Sequence, residues 1–172
     1  GVIDVTADSY NAKVRGYGQV VPQDSLSLVA QVSGQVTDIS SSFKTGALVA
    51  NNTVLARIDD TNYQQALASA NATYQAAVVS LEEERLQGIQ AKDEWTRSGL
   101  DGEPLSALVL REPQLKAAQA TLDEAEQSVN SAKRDLAFTS LRAPFSALVV
   151  SRDIVLGSYV QAGSAVATLY SA

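Results

Sequence analysis

The side chains that most often do chemistry are missing. The 172 residues contain no His, no Cys and no Met, so thiolate, imidazole and thioether ligands are excluded, along with every Cys or His nucleophile or base. Catalysis would have to rest on carboxylates, Ser or Lys, and no spacing in the chain brings a recognisable set of these together. The densest acidic run, Glu82, Glu83 and Glu84, reads as a solvated helix face rather than a metal site. Gly16 and Gly18 in RGYGQV lack the following helix that a phosphate-binding loop needs. No enzyme, cofactor or metal is expected.

Charge narrows the partners. Thirteen basic and nineteen acidic residues give a net charge of −6, which opposes general affinity for nucleic-acid phosphates or anionic headgroups. No nucleic acid is expected as a partner. With 45% hydrophobic and 19% charged residues, a packed core is feasible. No run approaches the ~20 apolar residues of a membrane span, and no signal segment opens the chain. An export signal or membrane anchor would lie outside these residues.

The elements that position the remaining side chains fall into three regimes. From about Val14 to Ile58, short alternation predicts strands; in SLSLVAQVSGQV, Leu26, Leu28, Ala30 and Val32 share one face. From about Asp59 to Leu141 the sequence is rich in Ala, Gln and Glu, broken only at SGLDGEP, residues 98 to 104, and predicts two helices and a turn. Strand character returns from Arg142.

The two strand regions repeat one another. GALVANNTVLARI (46 to 58) and GSYVQAGSAVATL (157 to 169) share Gly, Val, Asn or Gly, and two aliphatics at equal intervals, and upstream Gly34 and Val36 match Ala147 and Val149. The interval to the next Gly is twelve residues in the first copy and ten in the second. Repeats that cannot cover their apolar faces alone must pair into one β unit. Val36, Val49, Leu55, Val149, Val160 and Val166 are therefore expected in a single core. Gly46, Asn52, Gly157 and Gly163 are expected in turns, where positive φ favours Gly and tolerates Asn.

The insertion has a heptad. Leu108, Leu115, Leu122, Val129 and Leu136 recur every seven residues, flanked by Ala118, Ala125 and Ala132, while Leu67, Tyr74 and Leu81 alternate with Ala70 and Ala77. Large and small residues in this order make a two-stranded seam with closely spaced backbones, and Trp95 continues the first series. A short connection makes the helices antiparallel. If the first spans about Thr61 to Arg97, it is roughly 55 Å long. Pro113 requires either a kink in the second helix or a separate tip turn over residues 105 to 111.

On these features the chain resembles the periplasmic adaptor, or membrane fusion, proteins of the HlyD type that serve Gram-negative tripartite efflux pumps. The resemblance covers about residues 26 to 170 and rests on two lipoyl-like half-motifs around a helical insertion. It is most specific in DLAFTSLRAPFSALVVSRDIVLGSYVQAGSAVATL, residues 135 to 169, although Ser146 and Ala147 stand where the family usually has Asp and Gly. LVLREPQLKAAQA, residues 108 to 120, is similar to adaptors of resistance-nodulation-division transporters. The resemblance implies an α+β fold: a small lipoyl-like β-sandwich from residues 26–59 and 142–170, with a long antiparallel coiled-coil α-hairpin over 60–141 and a tip near 98–112. Residues 1–25 would be a remnant strand of an adjoining β-barrel.

By the same resemblance the protein is non-catalytic, periplasmic and held at the inner membrane by an anchor outside this chain. It would join an inner-membrane efflux transporter to a TolC-like outer-membrane channel and assemble as a ring of several copies. The family docks on the channel through an Arg, a Leu and a Ser at the hairpin tip, and Arg97, Leu100 and Ser106 answer to these at intervals of three and six where the family pattern has four and seven. Arg97 as a helix C-terminal cation and Leu100 as a turn-closing apolar contact are the competing roles. Other readings are an adaptor of the same architecture serving an ABC or major-facilitator exporter, a coiled-coil interaction module, or a lipoyl or biotinyl carrier. A carrier needs a Lys at the turn joining the halves, where the helical insertion stands; Lys44 in SFKTG belongs to a different turn.

Overall fold

A computed structural model describes residues 1–172. Eight strands and two helices follow one another as β1 (Ser25–Val29), β2 (Gly34–Ile39), β3 (Leu48–Val49), β4 (Val54–Ile58), α1 (Thr61–Arg97), α2 (Glu112–Phe138), β5 (Ser140–Arg142), β6 (Ala147–Arg152), β7 (Tyr159–Val160) and β8 (Ala165–Ser171). The strands form two antiparallel four-stranded sheets, ordered β1-β8-β6-β3 and β5-β4-β2-β7. Each sheet takes two strands from either side of the helices. Exchanging the halves, so that β1 to β4 become β5 to β8, turns one sheet's order into the other's.

The backbone bonds repeat with the same symmetry. Gly46 N–H donates to Val149 O at 2.7 Å, and Gly157 N–H donates to Val36 O at 2.9 Å. Asn52 N–H reaches Ala143 O, as Gly163 N–H reaches Ala30 O, both at 2.7 Å. These four turn residues all have positive φ, between 66° and 88°, which explains three glycines and the one Asn.

Seventeen buried residues from both flanks make one core, among them Val36, Val49, Leu55, Val149, Val160 and Val166, each at most 5% exposed. Completely removing such a side chain from water contributes roughly 1.5–3 kcal/mol, so neither flank could keep its share if left alone. The longer interval in the first half is a wider turn, whose Phe43 is fully buried where the second half places Ile154.

Strand character does not reach back to Val14. Residues 1–24 carry no helix or strand, and Val14, Tyr17 and Val20 are over 90% exposed. Alternating sequence makes a strand only where a neighbouring ladder accepts its backbone groups, and before Asp24, which bonds to Ser171, no such ladder stands beside this segment.

The helices leave the β core together. Ile58 N–H donates to Thr139 O at 2.7 Å, and the Tyr63 hydroxyl donates to Ser33 O, so the start of α1 and the end of α2 stand side by side. Arg111, which precedes the first turn of α2, meets Glu84 in the far half of α1, and the two helices are therefore antiparallel. α1 has 37 residues and α2 has 27. Neither is long and apolar enough to cross a membrane. Pro113 falls in the first turn of α2, where its missing N–H costs nothing, and residues 105 to 111 form a separate turn closed by Val109 N–H to Ser106 O and Arg111 N–H to Leu108 O.

Candidate functional site

The seam sets where the helix ends can be. On α1, Tyr63, Leu67, Ala70, Tyr74, Ala77, Leu81, Glu84, Gly88, Ala91 and Trp95 turn from solvent in alternating steps of four and three, the spacing of a helix face that meets one partner. On α2 the matching face is Ala118, Leu122, Ala125, Val129, Ala132 and Leu136. Leu81 and Val129 are the most deeply covered large residues, at 5% and 7% exposed, beside Ala77 and Ala125. Leu67, Tyr74, Leu122 and Leu136 are half-buried, since two helices alone cover one stripe.

Two positions of the heptad fall elsewhere. Leu115 is 36% exposed, and the next inward residue beyond Ala118 is Gln114. A straight helix drifts about 20° per heptad against a strict seven-residue repeat, and the series slips here by one place. Leu108 is 60% exposed and precedes α2 altogether, because Arg111 takes a left-handed conformation, φ 59°, and stops the helix from extending towards it.

The connection between the helices presents the tip residues. Arg97 ends α1 and pairs with Asp93 at 2.7 Å on its own helix, with 77% of its side chain exposed. Ser98 closes α1 through N–H to Glu94 O and hydroxyl to Trp95 O. Trp95 Nε1–H donates to Gly102 O at 3.1 Å, which folds the loop back over the helix end. Leu100 is 58% exposed and lines a shallow groove with Ala91, Trp95, Ser98 and Val109. The exposed Ser106 hydroxyl accepts from Leu108 N–H at 3.3 Å. Arg97, Leu100 and Ser106 thus share one end of the helical pair, each exposed. Leu105 and Leu108 stand uncovered beside them.

Sequence reasoning set Glu84 on a solvated face with Glu82 and Glu83, whereas its side chain is only 15% exposed, and it missed two features here. Arg111 Nε–H and Nη2–H donate to the two carboxylate oxygens of Glu84 at 2.6 and 3.1 Å, and this hydrogen bonding raises the Arg111 pKa above its usual value. An ion pair between residues far apart in sequence leaves no periodic trace. At the other end, Asp59 accepts from the Thr61 N–H and hydroxyl, and these bonds hold its carboxyl below the ordinary range. The Asp-Asp-Thr sequence at the start of the helical run was the available signal for these bonds.

Known proteins share this arrangement. A family model described as the CzcB-like, barrel-sandwich hybrid domain matches residues 24–170. Multidrug resistance protein MdtA of Xenorhabdus bovienii (strain SS-2004) is 28% identical over 153 residues, 86% of this chain and 35% of that protein. The uncharacterized protein YdhJ of Escherichia coli (strain K12) is 28% identical over 140 residues, 81% of this chain and 47% of that one. The chain thus spans less than half the length of either relative. Among solved structures, MacA from Actinobacillus actinomycetemcomitans has the same fold, with a TM-score of 0.68 and 22% identity over 87% of this chain and 50% of that one.

Proposed function

We propose, from the premise that this chain belongs to the CzcB-like barrel-sandwich hybrid family of membrane fusion, or periplasmic adaptor, proteins, that it is the non-catalytic adaptor of a multidrug efflux pump. In this reading the helical pair is a coiled-coil hairpin that reaches a TolC-like outer-membrane channel. The lipoyl-like β-sandwich, residues 26–59 with 142–170, packs with other copies around a conduit and connects to an inner-membrane transporter of the resistance-nodulation-division class. Residues 1–25 supply a strand to an adjoining β-barrel, which would cover the exposed Val14, Tyr17 and Val20. The protein works in the periplasm, held at the inner membrane by an anchor outside these residues.

One observation carries the reading: a split β domain extends a long helical pair whose far end holds exposed apolar and charged residues with nothing in the chain to cover them. Export activity is supported by likeness to a multidrug resistance protein. The transporter class is supported by the stretch from Leu108 to Ala120.

The test is to measure melting and efflux-dependent drug resistance together for Arg97→Asp and Leu100→Asp in the full-length protein. Docking predicts lost resistance from a protein that melts as the parent does. Normal resistance in both variants at normal expression would remove these residues from the docking surface. Lost stability would instead assign Arg97 to its Asp93 pair and Leu100 to the turn.

A further inference from the structure

Near its far end the helical seam exchanges apolar contacts for an ionic one. Glu84 and Gly88 are the two α1 seam positions without an apolar side chain between Tyr63 and Trp95, and the Glu84 side chain is only 15% exposed. Opposite it lies Arg111, whose guanidinium meets both carboxylate oxygens in the fork geometry that fixes direction as well as distance. Gly88 belongs to the same layer: a Cβ there would lie 3.7 Å from Leu110 O, so the chain entering α2 passes close to the α1 backbone. Gln114 completes the layer, with a buried Oε1 that has no hydrogen-bond partner.

This layer is held against an apolar alternative. Continuing the α2 heptad without a slip would turn Leu115 inward, and a helix extended by one turn would bring Leu108 to the seam. Both are instead 36% or more exposed, while Arg111 adopts a backbone conformation that non-glycine residues seldom take. Apolar seams of repeated Leu and Ala are permissive, since one apolar layer substitutes for another, whereas a polar pair within a seam satisfies its groups in one alignment only. The β core fixes the helices at the base. At the far end they are held by this pair, by the Trp95 bond to Gly102 and by the apolar groove that Leu100 and Val109 form with Ala91 and Trp95.

We propose that the Glu84–Arg111 pair is a positioning element that locks the tip turn, residues 98 to 111, in one orientation along the far part of α1 and so sets where Leu100 and Ser106 point relative to Arg97. The proposal rests on the docking role given to that tip, but its geometric content is measured without transport.

Spin labels at Gln75 on the shaft and Ala107 on the tip, both exposed, report their separation by pulsed electron resonance in the full-length protein. A second pair, Gln75 with Glu124, reports the shaft alone. The parent should give one narrow tip distance. Glu84→Gln and Arg111→Gln should each broaden or split it while leaving the shaft distance unchanged, and the exchange of both charges, Glu84→Arg with Arg111→Glu, should restore a single narrow distance. A tip distance unchanged in the single variants would overturn the proposal. So would broadening of both pairs, which would make the ion pair a general packing contact, or a charge exchange that fails to restore order. Normal resistance in a variant whose tip has lost its single distance would count against docking through the tip and leave the positioning role standing.

Discussion

Gly34 and Ala147 occupy equivalent places in the two halves, yet only one of them has room for a methyl group. A Cβ at Gly34 would collide with Ile58 Cγ2, whereas Ala147 is fully buried with its methyl in place. Gly34→Ala should therefore lower stability by about 1–3 kcal/mol, as overpacking does, read from thermal or urea melting. The turn residues divide in a similar way. Gly163→Val, at φ 88°, should cost about 1–2 kcal/mol, the expense of a side chain in left-handed backbone. Asn52→Gly should be neutral or slightly stabilising, because it makes the first turn like the second. Asp59 links the start of α1 to pH. Its folded pKa is lowered by Thr61, so its contribution is complete above the unfolded carboxylate value and disappears as pH falls through the folded one. The Thr61 amide resonance should move over that acid range, and Asp59→Asn should abolish the movement.

At the level of the elements, seam burial rather than residue type decides what a substitution does. Leu81 is 5% exposed and Leu115 is 36% exposed, although sequence spacing alone gives both a place in the heptad. Leu81→Ala should destabilise the helical pair by about 2–3 kcal/mol through lost transfer energy and an unfilled space. Leu115→Ala should cost less than about 1 kcal/mol. Helical circular dichroism in urea separates the two, and equal effects would contradict the observed seam. The heptad was legible along α1 and from Ala118 to Leu136 because periodicity records which face is covered. It failed at Leu115 and Leu108, where an ion pair and a left-handed residue replace periodic contacts. The placement of Pro113 was undecided in the sequence because a proline fits both a kink and a first turn.

For the whole molecule, the repeat between Gly46 to Ile58 and Gly157 to Leu169 was the decisive signal, since two patterns that must share a core declare a single β unit. What it did not declare was the strand order, because periodicity says which face is inward and not which neighbour a strand takes. With Ile58 and Thr139 joined by a backbone bond of 2.7 Å, the helices are a loop whose ends already touch. Replacing residues 61 to 138 with a short Gly-Ser link should leave a β domain that melts cooperatively, whereas residues 1–60 alone should be unfolded; a folded fragment 1–60 would contradict the shared core. The exchange of strands also governs the order in which the chain can be completed. β1 aligns Leu26 with Leu169, and β2 aligns Gly34 with Val160, so the earliest strands synthesised wait for the latest. During that interval the inward side chains of the first half, Val36, Phe43 and Leu55 among them, have no cover, and such surface invites aggregation. Pairing over such separations is also slow. A ribosome that stopped before Ala165 would release no smaller version of this domain but a chain with an unfinished sheet, and a route that keeps the polypeptide extended until its last strand has emerged suits it best.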